Sequence, residues 1–411
     1  MEISLLWKYV LVVICIKNLI VARIPNRHKE RKVLRYEDEF NKGLDLQGHL
    51  QRQFFADTAL ADLRKNAVAS PFSALLLLVA LAKGATGGSL QELEAAIGFK
   101  KKEIDVHLKQ VFRDMKMKNA SLCILNKMYL QKGVQLQKLY RQRMQRLSLT
   151  MPQEVDFSRN KETVNLINRW VDENTNGKTP SMLSEYEVGP SDVIFLISTL
   201  NFVGHWQYPF EETVDRFNTP RGVKSVAMMK RKGLYMYAQS SNLDAEIIRI
   251  PYVGGEVHFY IVLPRQRNSI FRLLELVKAD PEALDDLKKT RPTAMTLIMP
   301  MFEVEAKFDL VQLFEELGIQ QIFSERTVGL SEMVTSTMYQ PSDLRVTGAI
   351  QKTYINVTAK GTVAGAASAS VLFYSRDAPP MTVKVDRPFL YFIVAAKQQL
   401  FAGIIVDPTR K

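Results

Sequence analysis

The second half of the chain is built from short apolar runs that leave little place for water on either side. They are "VIFLISTLNFV" from Val193, "AEIIRIPYV" from Ala245, "VHFYIVLP" from Val257, "TAMTLIMPMFEV" from Thr293, "MTVKVDRPFLYFIVA" from Met381 and "LFAGIIVDP" from Leu400. Each is bounded by Gly, Pro or polar residues, as strands are. Several are apolar at consecutive rather than alternate positions. That pattern suits central strands covered on both faces. A chain with such strands must supply layers to cover them.

Ahead of Val193 the pattern is helical. "SPFSALLLLVALAKGA" opens on Ser70 and Pro71, a helix start, and stays apolar until Gly84, which predicts a buried helix. Ser89 stands three residues before Glu92, which predicts a capping box for the next helix. Between the two helices, "GATGGS" (84–89) lacks the Lys-Ser/Thr of a phosphate cradle and is read as a turn. "DVHLKQVFRDMKMK" places Ile104, Leu108, Val111 and Met115 on one face. Helical spacing also covers residues 59–66 and "VNLINRWVDENTNGK", which Asn and Gly end. Helices that lead and strands that dominate later define an α+β chain, read as one domain without internal repeats.

Residues 1–22 read as a secretory signal peptide cut near Ala22. Their two apolar runs are short for a membrane span and are separated by Lys17 and Asn18; a retained anchor is the alternative. Residues 23–46 form a basic extension, and 47–411 the folded domain. Of the 2 cysteines, Cys15 lies in the signal, so only Cys123 remains and no internal disulfide is expected. Stability then rests on core packing, and Cys123, within apolar "SLCILNKMYL", is expected to be buried. The net charge of +12 is spread along the chain. It fits a solvated basic surface or a polyanion site, and no nucleic-acid motif accompanies it.

Catalysis finds no support. The 5 histidines, His28, His49, His107, His205 and His258, fall in no recognisable constellation. There is no G-x-S-x-G elbow, no HExxH and no paired-cysteine metal spacing.

"AKGTVAGAASASVLFYSRDAPP" (359–380) is small-residue chain followed by β-forming Val371, Leu372 and Phe373. A flexible linker would favour Gly and polar residues throughout. A strand held in reserve accounts for it better. From Gly361 onward, Thr362, Ala364, Ala366, Ser368 and Ser370 share one strand face, and all are small.

Ordered segments from about residue 50 to the end resemble the serpin family. "SPFSALLLLVALAKGATGGSLQEL" is similar to its early helix pair, and "VDFSRNKETVNLINRWVDENTNGKTPSML" to its Asn-x-Trp-Val and Thr-Asn-Gly-Lys signature. "LNFVGHWQYPFEE" carries its Phe-x-Gly-x-Trp as Phe202, Gly204 and Trp206. "MFEVEAKFDLVQLFEELGIQQIF" resembles the segment before the reactive loop, and "DRPFLYFIVAAKQQLFAGIIVDPT" the C-terminal signature, with Arg387, Pro388, Phe389, Gly403 and Pro408.

The resemblance implies three β-sheets, about eight or nine helices and an exposed reactive-centre loop at about 359–380. It implies no enzyme but a secreted, monomeric suicide inhibitor of a serine endopeptidase. The protease cuts the loop and is held as a covalent acyl-enzyme. The freed loop then enters the central sheet as a new strand, a familiar case of strand addition. The hinge would comprise Gly361, Thr362, Val363, Ala364, Gly365 and Ala366. The family's spacing from Gly361 puts the cut at Ser375–Arg376; working back from Arg387 and the Pro379–Pro380 pair puts it at Arg376–Asp377, the favoured bond. An arginine suits the aspartate-floored pocket of a trypsin-like enzyme; Phe373 or Tyr374 would suit a chymotrypsin-like one. Sheet opening would involve Ser198, Trp206 and Gln351.

Ala359 and Val363 stand where the family favours acids, and Ser198 and Gln351 where it pairs asparagine with histidine. These departures support the alternative, a non-inhibitory serpin-fold carrier or binding protein. Lys109, Arg113 and Lys116 form one helical stripe where some members bind heparin. A sulfated polysaccharide would dock there, unless the stripe is only a solvated face. No other cofactor, no metal, no nucleic acid and, once the signal is removed, no membrane partner is implied. Asn119 and Asn356 are glycan acceptors by sequence, Asn356 being poorly placed on the strand before the hinge.

Overall fold

The computed structural model describes residues 65–115, 120–147, 149, 151–175, 177, 181–266, 269–325, 329–335, 343–362, 381–396 and 398–410. Its α-helices are α1 (Pro71–Gly84), α2 (Gly87–Ile97), α3 (Ile104–Asp114), α4 (Lys138–Arg146), α5 (Asn160–Thr175), α6 (Ile270–Ala279) and α7 (Leu310–Glu316). The early strands are β1 (Ala67–Ala69), β2 (Ala120–Gln131), β3 (Gln135–Leu136), β4 (Gln153–Val155) and β5 (Ile194–His205). Next come β6 (Glu211–Thr219), β7 (Gly222–Ser240), β8 (Ala245–Pro251), β9 (Val257–Pro264), β10 (Arg291–Pro300) and β11 (Phe302–Asp309). The last are β12 (Val334–Thr335), β13 (Val346–Thr358), β14 (Gly361–Thr362), β15 (Met381–Lys384), β16 (Phe389–Ala395) and β17 (Gln398–Ile405).

These strands make three sheets. The largest runs β1-β17-β16-β9-β8-β7-β10-β15, with β6 added to β7. The second runs β11-β13-β14-β5-β2-β4, and the third is β12 paired with β3. Helix α1 packs against β17 of the first sheet and against β2 and β5 of the second. This explains its apolar circumference: every residue except Leu75 is buried. Its start follows the sequence signal, with the Ser70 hydroxyl accepting from the Ser73 amide at 3.1 Å and Pro71 opening the first turn. Helix α6 covers the other face of the large sheet through Leu273, Leu274 and Val277. Helix α5 covers the other face of the second sheet through Val164, Ile167 and Val171.

Some expectations need correcting. Helix α2 begins at Gly87, before Ser89, so no capping box forms. The Ser89 hydroxyl is buried with no hydrogen-bond partner among the described residues, and Glu92 instead accepts from the Gln320 and Gln321 amides at 2.8 and 2.9 Å. Strand structure also begins well before Val193, because β2 is central to the second sheet. Lys65 and Asn66 are not helical, and the rest of the 59–66 expectation lies outside the described residues. So do the signal peptide and the basic extension. The burial expected of Cys123 is outside the described side chains; its backbone pairs with Asn201.

Candidate functional site

The second sheet contains an unfinished seam. β13 runs parallel to β5 from Val346 opposite Ile194 to Thr353 opposite Leu200. Farther along they separate, and two residues fill the gap. Gly361 and Thr362 pair with Thr358 and Val357 on one side and with His205 and Gly204 on the other. The expected exposed loop therefore does not begin at Ala359: Ala359 and Thr362 are buried, at 2% and 1% exposure. The physical reason is that the backbone amides and carbonyls of these residues find partners inside the sheet.

Gly361 makes the turn with φ +139, where a Cβ would lie 2.3 Å from the Gly204 carbonyl oxygen. Its own carbonyl accepts from the Thr358 hydroxyl at 2.8 Å. The Thr362 and Tyr252 hydroxyls are 2.8 Å apart. Burial pushes the Tyr252 phenol well above its ordinary pKa, so it stays neutral. Tyr252 stacks on Trp206, with centroids 4.5 Å apart. The Trp206 indole donates to the Thr358 carbonyl at 2.8 Å, and its amide donates to the Lys360 carbonyl at 3.1 Å. The Phe210 amide closes the turn on the Ala359 carbonyl at 2.9 Å. Ala359 belongs to the apolar core, which accounts for the absence of an acid there.

A second cluster lies at the paired end of the seam. Gln351 accepts from the Ser70 amide at 2.8 Å and donates to the Ser70 carbonyl at 3.0 Å. It also donates to the Ser198 hydroxyl at 3.3 Å. Ser198 lies 2.7 Å from the Ser73 hydroxyl, which donates to Asn126 at 2.8 Å. Asn126 in turn donates to the Ser73 carbonyl at 2.8 Å. Five side chains or caps thus tie the first turn of α1 to β2, β5 and β13 across the seam. Ser198 and Gln351 are brought together, while Trp206 is not part of this cluster. It sits at the other end of β5, roughly 25 Å along the strand. Ser70, Ser73, Asn126 and Tyr252 were not foreseen as site residues; Asn126 is the polar residue on the β2 face that carries Leu122, Ile124, Met128 and Leu130, a signal that a strand reading would have exposed.

The remaining candidates divide. Lys109 and Arg113 are exposed on α3, opposite buried Ile104 and Leu108, and Arg113 donates to the Lys109 carbonyl at 3.2 Å and to Gln110 at 2.8 Å. Asn356 lies within β13, half-buried and opposite Glu303. Lys116, Asn119, Val363, Ala364, Gly365, Ala366, Ser375, Arg376 and Asp377 lie outside the described residues.

Comparison with known proteins agrees with this architecture. A family model for serpins (serine protease inhibitors) matches residues 47–408. Antichymotrypsin-2 of Bombyx mori is 30% identical over 350 residues, which cover 83% of this chain and 91% of that protein. Antitrypsin of the same species is 29% identical, covering 84% and 88%. Among solved structures, Serpin48 of Tenebrio molitor superposes with a TM-score of 0.80 at 21% identity, covering 93% of this chain and 100% of that one.

Proposed function

The chain belongs to the serpin family, and on that premise we propose that it is a secreted suicide inhibitor of a trypsin-like serine endopeptidase. The observation that carries this reading is the seam. The chain already contributes Gly361 and Thr362 between β13 and β5, and the residues that follow in sequence keep small side chains at the alternate positions. Continued entry would place Ala364, Ala366, Ser368 and Ser370 on the face where Thr362 is buried, without the clash or desolvation that larger or charged groups would bring.

The chemistry is acyl transfer arrested halfway. The protease serine attacks the Arg376 carbonyl, the Arg376–Asp377 bond breaks, and Asp377 leaves with a new amino terminus. The Arg376 acyl group stays esterified to the serine while the freed strand enters the sheet. Ser375–Arg376 is the neighbouring choice of bond. The chain acts as a monomer, leaves the cell after removal of residues 1–22, and carries a glycan at Asn119. Lys109, Arg113 and Lys116 are the residues a sulfated polysaccharide would engage.

Mixing the protein with trypsin-like and chymotrypsin-like proteases tests the reading. An SDS-stable complex, with a released peptide whose mass starts it at Asp377, is expected. Cleavage with no complex would reject it. Heat stability measured before and after loop cleavage separates the carrier alternative: a large gain reports strand entry, and no gain favours a carrier.

A further inference from the structure

The contact between α5 and the second sheet is mostly apolar, but it holds polar groups that the described residues leave unsatisfied. Lys127 and Tyr129, two apart on β2, stand on the face that α5 covers. Tyr129 is fully buried there, and its hydroxyl has no hydrogen-bond partner among the described residues. Trp170 of α5 packs on the same cluster, and its indole N–H is likewise buried and unpartnered. Lys127 is half-buried, with its ammonium 5.6 Å from the centre of the Trp170 ring. That is near the outer limit of a cation–π contact, and it fills none of the ammonium's N–H donors. Burial alone lowers the Lys127 pKa, with no neighbouring acid to hold it up. Native proteins leave few polar groups in this condition, and each calls for an explanation. Three donors at one contact call for an acceptor from outside.

The place can be reached from the side. β4 pairs with β2 only at Tyr129, Leu130 and Gln131, so at Lys127 β2 is the border of the sheet among the described residues. We infer that this border, between Lys127 and Trp170, is a binding site for a small amphipathic monocarboxylate. The carboxylate would accept from the Lys127 ammonium, the Trp170 indole and the Tyr129 hydroxyl, and the apolar part would lie against the Trp170 ring. The donor set selects the ligand. A carboxylate offers acceptors on both oxygens and one charge to match one ammonium. A dianion would place a second, unmatched charge in a half-desolvated setting. None of the three residues belongs to the seam, so the site stands apart from the inhibitory reading.

Benzoate is the probe, titrated by calorimetry into the full-length protein, with benzamide and inorganic phosphate as comparisons. Saturable binding of benzoate is expected, and markedly weaker binding of the other two. Lys127→Met should weaken benzoate by about tenfold or more. Tyr129→Phe, which removes one O–H and keeps the ring, should weaken it roughly fivefold. Without benzoate, Lys127→Met should unfold at the same or a higher urea concentration, because it removes a charge that had no partner. This separates loss of the site from loss of the fold, and a clearly lower midpoint would overturn the reading of Lys127 as unpartnered. No saturable benzoate binding, or equal affinity in the unaltered and both variant proteins, would overturn the proposal. Benzamide or phosphate binding as tightly as benzoate would overturn the assignment to a carboxylate.

Discussion

Thr362 meets Tyr252 hydroxyl to hydroxyl at 2.8 Å, and this pair fastens the β14 residue Thr362 to the molecule's core. Thr362 is 1% exposed there. Thr362→Arg would force an unpaired charge into that place, which costs several kcal/mol. Strand entry should stall at its first step. The expected result is cleavage without an SDS-stable complex, read from a gel. A normal yield of complex would show that position 362 is not on the insertion path.

Gly361→Ala tests the pivot. The added Cβ would meet backbone on three sides: the Gly204 oxygen at 2.3 Å, the His205 Cα at 2.7 Å and the Trp206 nitrogen at 3.0 Å. The backbone also sits at φ +139, which a side chain strains. We expect a loss of about 2 kcal/mol or more in unfolding stability, and a larger share of inhibitor consumed as substrate. A variant matching the unaltered protein in urea unfolding and stoichiometry would refute the role assigned to Gly361.

Gln351 and Ser198 should differ in cost. Gln351→Ala leaves the buried Ser70 amide without its partner, while the Ser70 carbonyl keeps the Ala74 amide, for about 2 kcal/mol. Ser198→Ala removes contacts with Ser73 and Gln351, yet Ser73 keeps Asn126 and Gln351 keeps Ser70, for about 1 kcal/mol. Urea midpoints rank the two; equal or reversed losses would contradict the network as drawn.

Acid sensitivity should trace in part to His258. Burial, with help from the Arg249 charge, lowers its pKa from 6.5 to about 4. The unfolded chain therefore takes up this proton first as the pH falls. Stability from this site is complete above about 6.5, declines through the window down to about 4, and is then spent. The decline is on the order of 2 kcal/mol after allowance for solvent screening. His258→Gln should flatten that part of the stability–pH curve. An unchanged slope between those limits would place the acid sensitivity elsewhere.

The fold was largely legible because its central strands are apolar at nearly every position. β5, β9, β16 and β17 announce themselves as sheet interior. The β6–β7 hairpin did not, because exposed Ser225, Ala227, Lys230 and Lys232 surround buried Val226, Met228 and Met229. The site was half legible. The small residues from Gly361 onward marked a strand with one crowded face, and Thr362 is indeed buried. The partners Tyr252 and Ser73 belong to distant segments that only the fold brings near, joined to the hinge and the seam by single hydrogen bonds that leave no periodic trace.

Asn66 holds the far end of the chain: its amide donates to the Asp407 and Arg410 carbonyls at 2.8 and 2.7 Å, across 341 and 344 residues. β16 and β17 follow every other strand of the large sheet in chain order, yet they lie between β1 and β9. During synthesis β1 therefore waits without its sheet partner, and β9 with β8 alone, until β16 and β17 have been made. The open edge of β1 is exposed to mispairing throughout that interval. Loss of β16 and β17 would cut β1 off from β9 and leave the rest of the sheet with a new apolar edge.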